Sequence, residues 1–210
     1  MDIQKVLFDE IFEAEGLTKS QATKLRIING TIQCYIRHGA NQTTYQKIAK
    51  LSKCSFALTK HYFPDPDELF EMVAKYIRVN FQRVAVEAIR SKHTPTDQLV
   101  AYIKSTFDWV DDYRDHGRVW MLFFFNCSIK KGQRATNTDL VNMGHARITA
   151  LLNLGRSQKL FSFRSAEETA RLIQIVISGA LVAMLTEDIG QSQKEALLGS
   201  VTRHCMSLVT

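Results

Sequence analysis

Segment breakers are scarce in this chain. Its only prolines are Pro64, Pro66 and Pro95, and ten glycines are spread over 210 residues. The stretches between breaks are therefore long, which favours helices over a sheet protein with many turns. The joints carry start signals. Asp65-Pro66-Asp67-Glu68 places a capping side chain, a preset φ at the first helical position and two acids at the positive end of a helix dipole within one turn. It predicts a helix running to about Lys92. Thr94-Pro95-Thr96-Asp97 repeats the signal, and Leu99, Ile103, Phe107, Val110 and Tyr113 follow at three- and four-residue steps. After His116-Gly117, the run Val119-Trp120-Met121-Leu122-Phe123-Phe124-Phe125 is apolar on every face. It predicts a central helix, although seven such residues would also suit a buried strand. Thr136 to Lys159 reads as an amphipathic helix interrupted by Gly144 and Gly155. Ser165-Ala166-Glu167-Glu168 and Ser192-Gln193-Lys194-Glu195 have the Ser-x-x-Glu form of a capping box, opening helices over about 166–187 and 193–208. The expectation is an all-α chain without internal repeats or low-complexity segments.

Length suits one small module joined to one larger one. The formal net charge of +6 and a pI near 9.2 permit a polyanionic partner without requiring one. Distribution is more informative. Residues 1–18 set Asp2, Asp9, Glu10, Glu13 and Glu15 against Lys5, and Ile3, Leu7 and Ile11 lie one turn apart there, so this acidic leader can form an amphipathic helix. Residues 19–64 hold Lys19, Lys24, Arg26, Arg37, Lys47, Lys50, Lys53 and Lys60 and no Asp or Glu. A basic module thus follows an acidic leader and precedes a near-neutral body.

Cys34, Cys54, Cys127 and Cys205 form no Cys-x-x-Cys pair and have no histidine at a ligand interval, so neither a metal nor a disulfide framework is expected. A reducing cytoplasm is the natural compartment. No signal peptide is read at the start, and the apolar stretches around 119–125 and 172–185 fall short of the roughly 20 residues that span a bilayer. A soluble protein with no membrane partner is expected. Catalysis is not: there is no phosphate-cradling glycine loop, no Gly-x-Ser-x-Gly and no His-Glu-x-x-His, Asp111-Asp112 read as solvated acids, and no cofactor is implied.

The densest pattern lies in residues 24–70. Leu25, Ile28, Ile32 and Tyr35-Ile36 form a stripe that ends at Gly39, a residue suited to stopping a helix. Thr43-Thr44-Tyr45-Gln46 offers a Thr-x-x-Gln capping box, and Ile48, Ala49 and Leu51 supply the buried face of a short helix. Ser52 to Ser55 make a turn, and a second short helix from Ser55 to about His61 closes on Tyr62-Phe63 before Pro64. Two short helices joined tightly inside an acid-free segment are what a major-groove reader requires.

Gly39, Thr43-Thr44, Ile48-Ala49, the turn ending in Ser55, Tyr62-Phe63 and Glu68-Leu69 together resemble the DNA-binding domain of tetracycline-repressor-like (TetR) transcription regulators. Three positions depart from that pattern. The turn, usually close to Ala-Gly-Val-Ser, is Ser52-Lys53-Cys54-Ser55; Lys60 stands where an aromatic is usual; and Pro66 stands where a lysine often opens the next helix. The resemblance implies a three-helix DNA-binding domain over 19–65 and a larger helical ligand-binding and dimerisation domain over 66–210. It implies phosphate contacts from Thr44, Tyr45, Lys53, Lys60, His61 and Tyr62, and base reading by Gln46, Ser55, Phe56, Ala57 and Thr59.

For the body, the resemblance implies a pocket between about residues 66 and 160. Phe81, Tyr102, Trp109, Trp120, Phe124, Cys127 and His145 are its candidate lining, suited to a small apolar or aromatic effector. The last two helices are implied to pair with their copies in a homodimer, through Leu172, Val176, Gly179, Ala180, Met184, Leu197 and Val201. A repressor released from a double-stranded operator when its effector binds is the function so implied. The rival reading is a helical interaction protein of the same fold that has lost DNA binding.

Overall fold

The computed structural model describes residues 18–210, so the acidic leader lies, apart from Thr18, outside the described residues. Within them the chain is all-α. The helices are α1 (Lys19–His38), α2 (Tyr45–Ser52), α3 (Phe56–Tyr62), α4 (Pro66–Arg90), α5 (Pro95–Asp112), α6 (Arg114–Ile129), α7 (Lys131–Ser157), α8 (Ala166–Thr186) and α9 (Gln191–Ser207). A single 3₁₀ turn, Ala40–Gln42, joins α1 to α2, and no strand occurs among the described residues. The chain divides into two compact units. One holds residues up to Asn80 together with Arg118–Asn126, and the other holds Phe81–Gly117 and Cys127–Thr210.

The first unit is built around α1. Thr18 Oγ1 accepts the Gln21 N–H at 3.2 Å while Gln21 Oε1 accepts the Thr18 N–H at 2.8 Å, a reciprocal cap that sequence reading missed. The helix stops at Gly39, whose φ of 72° lies in the region only glycine enters freely. Ile27, Ile28, Ile32 and Cys34 are buried with Ile48, Ala49, Phe63, Leu69 and Phe70. The Tyr35 ring meets Phe70 edge-on at 5.3 Å, and Phe70 lies 6.0 Å from Phe123. Gly30 lets α1 and α2 approach, since a Cβ there would fall 2.8 Å from both the Cβ and the backbone nitrogen of Ser52.

In the second unit, α5, α7, α8 and α9 pack together. Thr94 caps α5 by accepting the Asp97 N–H at 3.1 Å. The buried side of α5 carries Leu99, Tyr102, Ile103, Phe107, Trp109 and Val110, and the Phe81 ring meets Trp109 edge-on at 5.3 Å. Full burial of such side chains contributes about 1.5–3 kcal/mol each. Lys194 on α9 pairs with Asp111 on α5.

Several boundaries differ from expectation for identifiable reasons. The break expected at His116-Gly117 is absent: α6 starts at Arg114 and runs through Gly117, where a Cβ would fall 2.9 Å from the tip of Leu185, Cδ2. Likewise α7 begins at Lys131 and passes through Gly155, where a Cβ would strike the Phe161 ring. Helix α9 opens at Gln191, its turn closed by Gln193 Oε1 accepting the Gly190 N–H at 2.9 Å, so the Ser192 capping box does not form. By length and composition α8 is long and apolar enough to cross a bilayer, contrary to expectation. One of its faces nevertheless belongs to the core, where Ile173, Ile177, Ala180, Leu181 and Met184 are buried.

Candidate functional site

Helices α2 and α3 form the expected helix-turn-helix, and each local contact has a sequence origin. Thr44, not Thr43, caps α2, its Oγ1 accepting the Lys47 N–H at 3.4 Å, while Thr43 Oγ1 donates to the Gly39 carbonyl at 2.8 Å. The Thr43-to-Gln46 capping box is therefore not made. At the far end of α2, Lys53 adopts φ 53° and its N–H reaches the Ala49 and Lys50 carbonyls, while the Cys54 N–H bonds the Ala49 carbonyl at 2.9 Å. This left-handed C-cap normally falls to glycine. Ser55 then caps α3, accepting the Leu58 N–H at 3.1 Å.

Thr44, Gln46, Lys53, Ser55, Phe56, Ala57, Lys60 and His61 are exposed, and Phe56 is 49% exposed, unusual for a phenylalanine at the start of a helix. Tyr62 is half-buried. Two of the expected DNA contacts are engaged within the chain itself. Thr59 is fully buried and its hydroxyl donates to the Ser55 carbonyl at 2.9 Å, so it faces the small core and not a base edge. The Tyr45 hydroxyl donates to the Phe63 carbonyl at 2.7 Å, tying the start of α2 to the end of α3. Burial first, then Asp65 and Glu68, raise the Tyr45 pKa and keep the phenol protonated for that bond. The Lys60 ammonium sits 4.5 Å over the Tyr45 ring and donates to the Pro64 carbonyl at 3.3 Å. Sequence reading passed over Lys50, which is exposed on α2; its signal was the acid-free segment itself. A cleft of about 200 Å³ beside this motif is lined by Tyr35, Thr44, Tyr45, Ile48 and Pro66 among others.

The seven candidate effector contacts are not brought into one body. Phe81, Tyr102, Trp109 and Cys127 are buried in the second unit and His145 is half-buried there. Trp120 and Phe124 belong to the first unit, where Trp120 stacks on Phe123 at 5.1 Å and meets Phe124 edge-on at 5.2 Å. The second unit also buries polar side chains that sequence reading did not select, among them Gln133 and Thr106.

The proposed dimer face splits in two. Ala180, Met184 and Val201 are buried in their own chain and cannot present a surface. Val176 and Leu197 are half-buried, whereas Leu172 is 50% exposed and Gly179 is exposed. Sequence reading missed Ile175 at 59% and Val182 at 37%, which complete an exposed apolar line with them at three- and four-residue steps.

The described residues are thus all-helical, with an exposed helix-turn-helix near their start. The fold is that of TetR-family transcription regulators. A TetR transcription regulator from Haloarcula marismortui superposes with a TM-score of 0.78 at 18% identity, covering 90% of this chain and 98% of that one. A TetR-family regulator from Agrobacterium tumefaciens gives 0.73 at 20%, covering 91% and 100%. A protein assigned as a transcriptional regulator from Saccharomonospora viridis, solved in complex with choline, gives 0.73 at 19%, covering 89% and 97%. No family model matches the chain, and no curated protein matches it.

Proposed function

We propose that the protein is a soluble, cytoplasmic, homodimeric transcription regulator, not a catalyst, that binds a double-stranded operator and is released from it by a small organic effector. The observation that carries this reading is the exposed start of α3. Ser55, Phe56 and Ala57 are exposed there, flanked by Lys53 and Lys60 in a segment without a single acid. In a major groove, Phe56 and Ala57 suit thymine methyls and Gln46 suits adenine, while Thr44, Lys50, Lys53, Lys60, His61 and Tyr62 serve phosphates. Residues 19–65 act as the reader and 66–210 as the body. Pairing through Leu172, Ile175, Gly179 and Val182 supplies the two-fold axis that two half-sites require. The choline held by a protein of the same fold supports a body able to take a small molecule. A selection of genomic fragments by the purified protein tests the reading. Enrichment of a short palindrome is the expected result, and recovery of fragments without a common sequence would remove sequence-specific binding.

A further inference from the structure

The body buries polar side chains that it leaves unused. On α7, Gln133, Asn137, Leu140, Gly144, Arg147 and Leu151 recur at four- and three-residue steps and so form one stripe. Gln133 is only 2% exposed, yet neither its amide oxygen nor its nitrogen has a hydrogen-bond partner. Asn137 Oδ1 and both terminal nitrogens of Arg147 are inaccessible and equally unpartnered. The helices packed on α7 add to the set: α5 brings Thr106, fully buried with its hydroxyl unpartnered, and α8 brings Gln174 Oε1. Tyr102, one turn before Thr106 on α5, acts electrostatically on the Arg147 guanidinium, whose pKa burial lowers. All these residues belong to the second unit.

Native interiors pair nearly all their buried polar atoms, and a cluster of exceptions needs an explanation. Water can satisfy amides and hydroxyls. It serves a guanidinium poorly, because arginine has five donors, no acceptor and no accessible neutral form, so its buried charge calls for an anion. Among the described residues no carboxylate pairs with Arg147.

We propose that this stripe is the polar floor of the effector site and that the effector is a small organic carboxylate, its acid group on Arg147 and a further polar group on the Gln133 and Asn137 amides. The inference rests on the body being the effector-binding part. A carboxylate matches the planar fork of one guanidinium. One cation among neutral amides balances one negative charge, which disfavours a phosphate dianion. Trp109, on the α5 stripe with Tyr102 and Thr106, suits an apolar or aromatic remainder.

The test uses the full chain and matched probes: benzoate with benzamide, phenylacetate with phenylacetamide, octanoate with octanamide, and inorganic phosphate. Calorimetric titration and thermal melting are run on wild type, Arg147→Gln and Gln133→Leu. At least one carboxylate is expected to bind wild type tenfold or more tightly than its amide, and Arg147→Gln to lose that binding by tenfold or more. Ligand-free Arg147→Gln is expected to melt no lower than wild type, since it sheds an unpaired buried charge. If that variant fails to fold, the guanidinium has a structural partner and the proposal is overturned. It is also overturned if no carboxylate binds, if acid and amide bind equally, if phosphate alone binds, or if Arg147→Gln binds carboxylates as wild type does. Carboxylate binding through Arg147 without release of DNA would remove the release mechanism and leave this inference standing. Release by an uncharged compound, unaffected by Arg147→Gln, would do the reverse.

Discussion

Three residues show how local geometry sets measurable properties. Gly30 faces the Ser52 backbone at a distance no Cβ tolerates, and backbone cannot swing aside as a side-chain tip can. Gly30→Ala is expected to destabilise the reader by roughly 1–3 kcal/mol, the usual penalty of overpacking, and a denaturant titration followed by circular dichroism reads it. Lys53 stands at φ 53°, a conformation that costs an L-residue about 1–2 kcal/mol, partly offset in glycine by greater unfolded-state freedom. Lys53→Gly should therefore raise the melting temperature, and an unchanged or lower one would show that the lysine side chain makes up the difference. Burial holds the His116 imidazole below its ordinary pKa of 6.5, with Asp115 pulling weakly the other way. The folded state thus binds fewer protons than the unfolded chain near that pH. The corresponding stability is present above about pH 6.5 and lost as pH falls through the lowered folded value. Melting temperatures measured from pH 7.5 to 5 should fall less steeply in His116→Gln than in wild type.

At the scale of elements, several caps were legible and long-range contacts were not. Thr94, Ser165 and Asp65 each start a helix where their spacing says, because a cap is a local bond between residues three or fewer apart. Glycine misled three times: Gly117, Gly144 and Gly155 look like breaks, but all lie inside helices, and at Gly155 the Phe161 ring needs the room. The helix-turn-helix was recognisable as a unit, while the burial of Thr59 and the Tyr45–Phe63 bond depend on how α2 crosses α3. Helix α8 is the clearest case. Its sequence is apolar nearly all round, so periodicity alone could not say which side the core takes. The structure gives Ile173, Ile177, Ala180 and Met184 to the core and leaves Leu172, Ile175, Gly179 and Val182 outside. The outer set follows the alternating three- and four-residue spacing of a helix-pairing seam. Ile175→Glu combined with Leu172→Glu is expected to yield monomers in sedimentation velocity with the helical circular dichroism unchanged, since neither side chain supports its own chain's core. A dimer that survives both changes would place the pairing face elsewhere.

At the scale of the whole molecule, the charge map makes the sharpest demand. The acid-free segment from Lys19 to Pro64 carries eight basic side chains, and several stand exposed on and around α2 and α3. If the chain binds DNA as a dimer, each lysine acts twice, so one substitution removes two phosphate contacts. Every neutralised phosphate contributes about 0.9 to the slope of log affinity against log salt. Lys60→Gln should therefore flatten that slope by about two and weaken specific and non-specific DNA by a similar factor. Phe56→Ala, which removes an apolar contact and no charge, should leave the slope alone and relax the preference for thymine where that ring reads. Fluorescence anisotropy with one operator and one scrambled duplex, each at four salt concentrations, separates the two effects. The opposite pattern, in which Phe56→Ala changes the slope or Lys60→Gln changes only the sequence preference, would mean that α3 does not lie in the groove with its first turn toward the bases. Equal indifference to both would assign DNA contact to some other surface.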